Sequence, residues 1–185
     1  MRRRVVAARA AMSAEDRAAA GPMIRDHVLS LPQVAAAGTI AAYYSIGTEP
    51  ASRSLVYALW KRGSYVVLPV LLPGGDLDWA SYEGPDSLVP GPRGVLQPAE
   101  PPRGPATVSR ADVVLVPAVA VGRSGHRLGR GGGSFDRALA RVGEQVPSIA
   151  LLYDDELVDE VPVDEHDQAV RAVARPGHGV TWLPE

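Results

Sequence analysis

The chain has 185 residues, of which 46% are hydrophobic and 22% charged, and its formal net charge is −2. These values are typical of a folded globular protein and give no reason to expect nucleic acid as a partner. The absence of cysteine excludes disulfides, thiolate metal sites and cysteine nucleophiles. No apolar run approaches the roughly 20 residues that span a bilayer, and the N-terminus lacks the apolar core of a signal peptide. We therefore expect residues 1–185 to form one domain, acting as a cytoplasmic monomer without a membrane partner.

Helical periodicity marks several segments of the chain. Residues 3–12 are predicted to form a helix, and Ser13 is the expected N-cap of a second helix, which Gly21-Pro22 interrupts. Residues 50–63 predict a helix with proline at its first position and glycine at its end. A further helix is expected over 134–143.

Short apolar runs separate these helices and predict strands. The strand candidates are residues 39–45, 64–70, 77–82, 112–121, 147–153 and 168–174. Proline and glycine dominate residues 84–105, which predicts an extended surface loop. Apolar strands that alternate with amphipathic helices are typical of the three-layer α/β/α class, with a mostly parallel open sheet.

Charge is distributed unevenly along the chain. Against three acidic residues, the first 30 residues carry six basic ones, Arg2, Arg3, Arg4, Arg9, Arg17 and Arg25. Residues 154–167 carry eight acidic residues and no Lys or Arg. Both stretches are compatible with a solvated surface. The alternative is a basic lip for anions that faces an acidic rim able to help hold a cation.

The segment 127–139, RLGRGGGSFDRAL, is the strongest candidate for a binding site. Its four glycines, Gly129, Gly131, Gly132 and Gly133, allow the backbone to approach a ligand closely or to adopt positive φ. Arg127 and Arg130 offer planar guanidinium groups suited to phosphate oxygens, and the helix expected from Ser134 directs its first N–H groups toward the loop.

The spacing of this loop matches neither of the two common nucleotide-binding fingerprints. It lacks the Gly-Lys-Ser/Thr ending of a Walker A loop, and it is not G-x-G-x-x-G preceded directly by a strand. Its pattern favours phosphate binding, with a flexible surface turn as the alternative. Asp136, in the first turn of the following helix, either compensates the helix dipole or holds Mg²⁺ beside bound phosphates.

At these residues the chain resembles the 5-formyltetrahydrofolate cyclo-ligase family, also called methenyltetrahydrofolate synthetase. The family pattern LVPG-x-AFD-x-x-G-x-RLG-x-G-x-GYYDR-x-L is similar to residues 115–139, LVPAVAVGRSGHRLGRGGGSFDRAL. Weaker similarities follow the family's order along nearly the whole chain. They are AAMSAEDRAAA (10–20), YYSIGTEP (43–50), GVLQP (94–98) and VPVDEHD (161–167).

The resemblance implies an ATP- and Mg²⁺-dependent ring closure of 5-formyltetrahydrofolate to 5,10-methenyltetrahydrofolate, giving ADP and phosphate. In the family's scheme the formyl oxygen attacks the γ-phosphate, N10 then attacks the activated carbon, and phosphate leaves. This scheme requires no protein nucleophile. It therefore agrees with a chain that lacks cysteine but has a glycine-rich loop. Positioning and charge stabilisation would then provide the catalysis.

The resemblance also implies roles for individual residues. Arg127, Leu128, Gly129, Arg130, Gly131, Gly132, Gly133, Ser134 and Phe135 would wrap the ATP phosphates, together with Arg2. Arg127, Arg130 and Asp136 would be the catalytic residues. Residues 130–134, Tyr44 and Glu49 would contact the folate, and the Glu49 carboxylate suits the paired N–H donors of the pterin. Asp136 and Asp167 match the family's two Mg²⁺ positions.

Several positions depart from the family pattern, mostly on the substrate side. Ser134 and Phe135 replace two tyrosines, Arg93 stands where an aromatic residue is common, and Arg171 stands where an acid is common. The family's lysine before Arg2 would precede Met1. These departures leave two alternatives: a diverged paralogue that binds ATP but acts on another substrate, and a non-catalytic nucleotide-binding interaction module.

Overall fold

A computed structural model describes residues 1–184 of the chain. The helices are α1 (Arg2–Ala11), α2 (Ala14–Leu29), α3 (Pro32–Ala35), α4 (Arg53–Lys61) and α5 (Ser134–Leu139). The strands are β1 (Thr39–Ala41), β2 (Tyr65–Leu71), β3 (Leu77–Ser81), β4 (Leu88–Pro90), β5 (Leu96–Pro98), β6 (Val113–Pro117), β7 (Ala120–Gly122), β8 (Arg127–Leu128), β9 (Ser148–Leu151), β10 (Leu157–Val158), β11 (Ala172–Arg175) and β12 (Gly179–Trp182). Short 3₁₀ helices occupy Pro85–Ser87, Pro92–Gly94, Pro105–Arg110 and Asp154–Glu156.

The main sheet has seven strands in the order β12-β11-β9-β6-β1-β2-β3. Strands β11, β9, β6, β1 and β2 are parallel, and the edge strands β12 and β3 run antiparallel to their neighbours. A smaller sheet has the order β10-β7-β8, and β4 and β5 form a hairpin. The mostly parallel sheet with helices on it confirms the predicted fold class.

Apolar residues cover both faces of the main sheet, as two helical layers require. Strand β6 shows this clearly, because Val113 and Leu115 belong to one buried cluster while Val114 and Val116 belong to the other. The first cluster includes side chains of α2 and α4. The second is closed by α5 and the 3₁₀ helix Pro105–Arg110. The near-continuous apolar strands are therefore explained by burial on both faces.

The order of the strands creates a crevice at one end of the sheet. The chain leaves β1 toward β2 on one side, and β6 later pairs with the other side of β1. Connections that leave neighbouring parallel strands in opposite directions open a cleft beyond the carboxyl ends of those strands, where ligands of α/β proteins commonly bind. The segments after β1 and β6 are the ones that carry predicted site residues.

The predicted interruption of the second helix and the predicted start of the next helix are wrong. Helix α2 runs unbroken through Gly21-Pro22. Gly21 is a packing position, because a Cβ atom there would lie 3.0 Å from the Cβ of Ala51. Helix α4 begins at Arg53 rather than near Pro50, because the Ser52 hydroxyl donates to the carbonyl of Tyr43 and holds this segment outside the helix.

Several predicted strands are also shorter or divided. The first ends at Ala41, and the predicted strand 112–121 is two strands, β6 and β7, separated at Ala118-Val119. Residues 84–105 contain the β4–β5 hairpin instead of only extended loop, and β12 was not predicted. Among the described residues, no helix combines the length and apolar character needed to cross a bilayer.

Candidate functional site

A cavity of about 460 Å³ lies at the carboxyl ends of the parallel strands. Segments following β1 and β6, the glycine loop before α5, helix α1, the β4–β5 hairpin and the 162–167 loop supply its walls. All of the residues predicted to act at the site line it: Arg2, Tyr44, Glu49, Arg127, Leu128, Gly129, Arg130, Gly131, Gly132, Gly133, Ser134, Phe135, Asp136 and Asp167. Residues separated by more than 160 positions are thus gathered around one cavity of ligand-binding size.

The glycine loop connects β8 directly to α5. A strand does lead into the loop, contrary to the sequence-based expectation, because Arg127 and Leu128 pair with β7. Gly131 and Gly133 have φ values of 105° and 66°, in the positive range that favours glycine. Helix α5 ends at Leu139, four residues before the predicted end, so it has only six residues.

Arg127 and Asp136 form a largely buried ion pair at the base of this loop. Arg127 Nη2 donates to Asp136 Oδ1 at 2.7 Å, and the side chains are 4% and 18% exposed, respectively. Burial lowers the pKa of Arg127, and the charge of Asp136 offsets part of that effect. Arg127 Nε is buried without a hydrogen-bond partner in the described structure. The residue also lines the cavity, where a guanidinium group suits an anionic ligand.

A second ion pair connects the glycine loop to the segment after β1. Arg130 Nη2 lies 3.1 Å from Glu49 Oε1, with the Arg130 side chain 59% exposed and the Glu49 side chain 11% exposed. The other Glu49 oxygen accepts from the backbone N–H of Ile46 at 2.9 Å. The two side chains predicted for the phosphate loop and for the folate subsite therefore meet at one point of the cavity.

Arg2 reaches the same loop from helix α1. Its Nε donates to the carbonyl oxygen of Gly129 at 2.8 Å, and its guanidinium nitrogens lie near Gly131. The exposed Arg2 side chain thus lies against the loop that Arg127 and Arg130 flank. This places a third guanidinium on the same stretch of backbone.

Three predicted residues have packing roles as well as positions on the wall. Tyr44 is half-buried, with the Arg53 guanidinium 4.6 Å from its ring centre. Phe135 packs edge-on against Trp79, with ring centres 6.3 Å apart. Leu128 is buried in the small cluster beneath α1. The phenyl ring at 135 is therefore partly a core side chain.

The carboxylates of Asp136 and Asp167 fit a magnesium ion in number and in donor chemistry. Asp136 Oδ1 accepts from Arg127 and from the backbone N–H of Gln168, whereas Asp167 Oδ2 accepts from the N–H of Asp164. Within residues 1–184, each carboxylate keeps one oxygen without a hydrogen bond. Mg²⁺ needs only one or two protein carboxylates when phosphates and water complete its shell. The described residues contain no group of three or more His, Asp or Glu side chains placed for a metal.

Two cavity residues, Arg9 and Tyr43, were not anticipated from the sequence. Arg9 is 4% exposed and forms a bidentate pair with Glu156, which is 5% exposed, so one residue of the acidic stretch is buried. The Tyr43 hydroxyl is buried without a partner among the described residues, and burial followed by the nearby Glu49 charge raises its pKa well above the ordinary value. The seven-residue spacing from Arg2 to Arg9, which places both on one face of a helix, was the available signal for Arg9.

The β4–β5 hairpin closes another side of the cavity with Pro92, Arg93, Val95 and Gln97. Arg93 has φ 59° and ψ 24°, and it is the non-glycine residue with positive φ in the described chain. It makes no hydrogen bond or ion pair with residues 1–184. Arg171 is the other arginine at a position where the family pattern has a different residue type. It is not among the described residues of the cavity wall, and its side chain donates to the carbonyl of Glu144.

The fold and the site define an α/β protein whose arginine-lined cavity suits an anionic ligand. The model of the 5-formyltetrahydrofolate cyclo-ligase family matches residues 1–176. A protein of Mycolicibacterium smegmatis named 5-formyltetrahydrofolate cyclo-ligase is 41% identical over 153 residues, which cover 78% of this chain and 77% of the relative. Its namesake in Escherichia coli K12 is 32% identical over 177 residues, covering 94% of this chain and 97% of the relative.

Solved structures give the same fold. The NMR structure of 5,10-methenyltetrahydrofolate synthetase from Aquifex aeolicus matches with a TM-score of 0.82 at 24% identity, covering 100% of this chain and 91% of that one. The chain belongs to the 5-formyltetrahydrofolate cyclo-ligase family. The predicted family, and with it an enzyme of this type, are confirmed.

Proposed function

We propose that this protein catalyses the ATP- and Mg²⁺-dependent cyclisation of 5-formyltetrahydrofolate to 5,10-methenyltetrahydrofolate, with release of ADP and phosphate. Membership of the family and the names carried by its relatives support this reaction. The observation that carries the proposal for this chain is the Arg130–Glu49 contact. It joins a cationic glycine loop to a shielded carboxylate, so a phosphate donor and a pterin can meet at that point.

The glycine loop and its arginines would hold the triphosphate. Gly131 and Gly133 would let the backbone curve around the phosphates, and Arg2, Arg127 and Arg130 would supply guanidinium groups from the cavity wall. Charge-assisted hydrogen bonds from arginine to phosphate are stronger than neutral ones. Because Arg127 is buried and fixed by Asp136, its position changes little when a phosphate binds.

Asp136 and Asp167 would hold the magnesium ion. When bound, the ion neutralises charge on the transferred phosphoryl group and on the departing ADP. Asp136 would then serve two cations at once, because its Oδ1 accepts from Arg127 while its Oδ2 has no hydrogen bond within residues 1–184. The salt bridge and the metal position are compatible for that reason.

Glu49 and Tyr44 would bind the folate. The half-buried carboxylate of Glu49, which contacts Arg130 and the Ile46 N–H, would accept hydrogen bonds from paired N–H groups of a pterin. The aromatic face of Tyr44 lines the same region. Arg93, which has no partner in the described structure, supplies a cation for the carboxylates of the folate's glutamate.

Positioning and electrostatics account for the chemistry that such a site can perform. The formyl oxygen must leave as part of phosphate so that N10 can bond to the formyl carbon. The chain contributes no covalent nucleophile to this step in the proposal. Its residues align the formyl oxygen with the phosphorus and stabilise the charge that develops there.

Formation of 5,10-methenyltetrahydrofolate, followed by its absorbance, tests the proposal. Purified protein with 5-formyltetrahydrofolate, Mg²⁺ and ATP is expected to form product, and omission of ATP is expected to abolish it. If ATP raises the melting temperature but no product forms, the protein is a diverged paralogue with another substrate. If neither occurs, the interaction-module alternative replaces the proposal.

A further inference from the structure

Helix α1 is attached to the rest of the protein by few contacts. Its sequence is RRRVVAARAA, and Arg9 is the buried residue of the helix, while Val5 is half-buried. An isolated helix of ten residues is marginal in water, so its position depends on the contacts of one face. On that face the contacts are made by Arg2, Val5 and Arg9, and Arg17 of α2 also donates to the carbonyls of Arg9 and Met12 at the end of the helix.

These three residues share one face because they are spaced by three and four positions. Val5 packs against the buried cluster that includes Leu128 and Val119. Arg2 donates to the Gly129 carbonyl, and Arg9 lies two turns further along, about 10 Å away at 1.5 Å per residue. The helix therefore touches the glycine loop at one end and is anchored at the other.

The anchor is a guanidinium whose Nε and Nη2 are both hydrogen-bonded. Arg9 Nε and Nη2 donate to the two Glu156 oxygens at 2.6 and 2.8 Å, and Nη2 also donates to the Ala118 carbonyl at 2.7 Å. Glu156 Oε2 accepts in addition from the N–H of Tyr153 at 2.9 Å. Burial by itself lowers the pKa of Arg9, but the hydrogen bonds and charge of Glu156 outweigh it and raise the pKa. Arg9 therefore stays charged and paired with Glu156, although it lines the cavity and its Nη1 makes no hydrogen bond within residues 1–184.

We propose that the buried Arg9–Glu156 pair positions Arg2 against the glycine loop and thereby sets the affinity of the protein for ATP. Arg9 and Glu156 are positioning residues in this account, since they act through Arg2, and Glu156 is not among the residues that line the cavity. The inference rests on the proposed function only for the identity of the anion at the loop.

A double-mutant cycle tests this coupling. Glu156→Gln keeps the size of the side chain but removes the charge that holds Arg9, and Arg2→Ala removes the guanidinium at the loop. Each single variant is expected to raise KM for ATP about tenfold, the value of one charge-assisted hydrogen bond, with kcat and KM for the folate little changed. The double variant is expected to match Arg2→Ala alone.

A structural role without coupling predicts a different pattern. Asp154→Asn is the matched control, because Asp154 lies in the same 3₁₀ helix as Glu156 but pairs with His178 and the Gly177 N–H. It is expected to lower the melting temperature without changing KM for ATP. If the two KM effects multiply to about a hundredfold, or if either single variant leaves KM unchanged, the proposal is overturned.

The ATP-induced rise in melting temperature gives a second readout that does not require turnover. It is expected to shrink in Glu156→Gln and Arg2→Ala equally, and no further in the double variant. Absence of turnover with this pattern intact refutes the proposed reaction but supports the coupling. If Glu156→Gln is insoluble, Arg9→Lys replaces it in the same cycle, because lysine keeps the positive charge but cannot make the bidentate pair with Glu156. A wild-type protein that ATP does not stabilise overturns the inference together with the proposed ATP site.

Discussion

Substitution of Asp136 separates its effect on folding from its proposed role in metal binding. The Arg127 side chain donates a hydrogen bond to Asp136, and the Arg127 side chain is 4% exposed. Asp136→Ala therefore leaves a buried guanidinium without its hydrogen-bonded carboxylate, although Asp167 still acts on it at longer range. Removing one partner of a buried pair costs about 3–5 kcal/mol, and the partial exposure of Asp136 favours the lower end.

The expected destabilisation is large enough to measure by thermal unfolding. In a chain of this length each 1 kcal/mol lowers the melting temperature by about 2–4 °C, so Asp136→Ala is expected to lower it by about 6–12 °C. Asp136→Asn keeps an oxygen that can accept from Arg127 and from the Gln168 N–H, and the expected loss is about 1–2 kcal/mol. Both variants are expected to lose Mg²⁺-dependent turnover. Because Asp136→Asn costs less stability than Asp136→Ala, a loss of turnover in Asp136→Asn can be assigned to metal binding and not to unfolding.

The control is another carboxylate that pairs with an arginine in an exposed position. Asp159 pairs with Arg123 at 3.0 Å, and the two side chains are 90% and 71% exposed. Asp159→Asn is expected to leave both melting and turnover unchanged, because exposed pairs contribute little. If Asp136→Ala melts like the wild-type protein, the reasoning from burial is refuted. If Asp136→Asn retains the wild-type Mg²⁺ dependence, the role of Asp136 is limited to the helix and the arginine.

Three further predictions concern the loop, a surface ion pair and the hairpin. Gly133→Ala, at φ 66°, is expected to destabilise by about 1–2 kcal/mol in urea titrations, whereas Gly132→Ala, whose Cβ meets its nearest atom at an ordinary 3.6 Å, serves as the tolerated control. The Arg141 pair lowers the pKa of Asp76 to about 2, so its stabilisation is present above about pH 4 and is lost toward pH 2. Asp76→Asn is accordingly expected to destabilise by up to about 1 kcal/mol at pH 6 and by less at pH 3, and a constant difference would contradict the assignment. Arg93→Ala is expected to raise KM for 5-formyltetrahydrofolate several-fold, by about 1 kcal/mol of lost attraction, with KM for ATP unchanged; an equal rise in both would indicate a change in the cavity as a whole.

The local features of the site could be predicted from the sequence because neighbouring residues carry them. The apolar run of β6, the glycines and Asp136 lie within one short segment, so their periodicity and spacing suffice to indicate a strand, a loop and a helix. The same reasoning predicted the parallel sheet, since strands buried on both faces have few polar positions. The resemblance to a family then indicated which distant residues, such as Glu49 and Asp167, belong to the same site.

Features that depend on tertiary contacts could not be predicted in this way. The acidic stretch around Glu156 has the pattern of a solvated turn, and only the partner 147 positions away explains why one of its carboxylates is buried. Helix α2 continues through Pro22 because packing against Ala51 and the sheet outweighs the local preference. The hairpin that carries Arg93 lies in a segment whose proline and glycine content favours loop. It could not be predicted from that composition, because its contacts with the main body are non-local.

The fate of the formyl oxygen tests the central claim that the cavity brings the phosphate donor and the folate together. The measurement uses 5-formyltetrahydrofolate labelled with a heavy oxygen isotope in the formyl group, incubated with the protein, Mg²⁺ and ATP, and determines the isotope in the released phosphate. The account predicts one labelled oxygen in each phosphate and one phosphate for each methenyltetrahydrofolate formed. Product formation with unlabelled phosphate, or phosphate release without product, would contradict it.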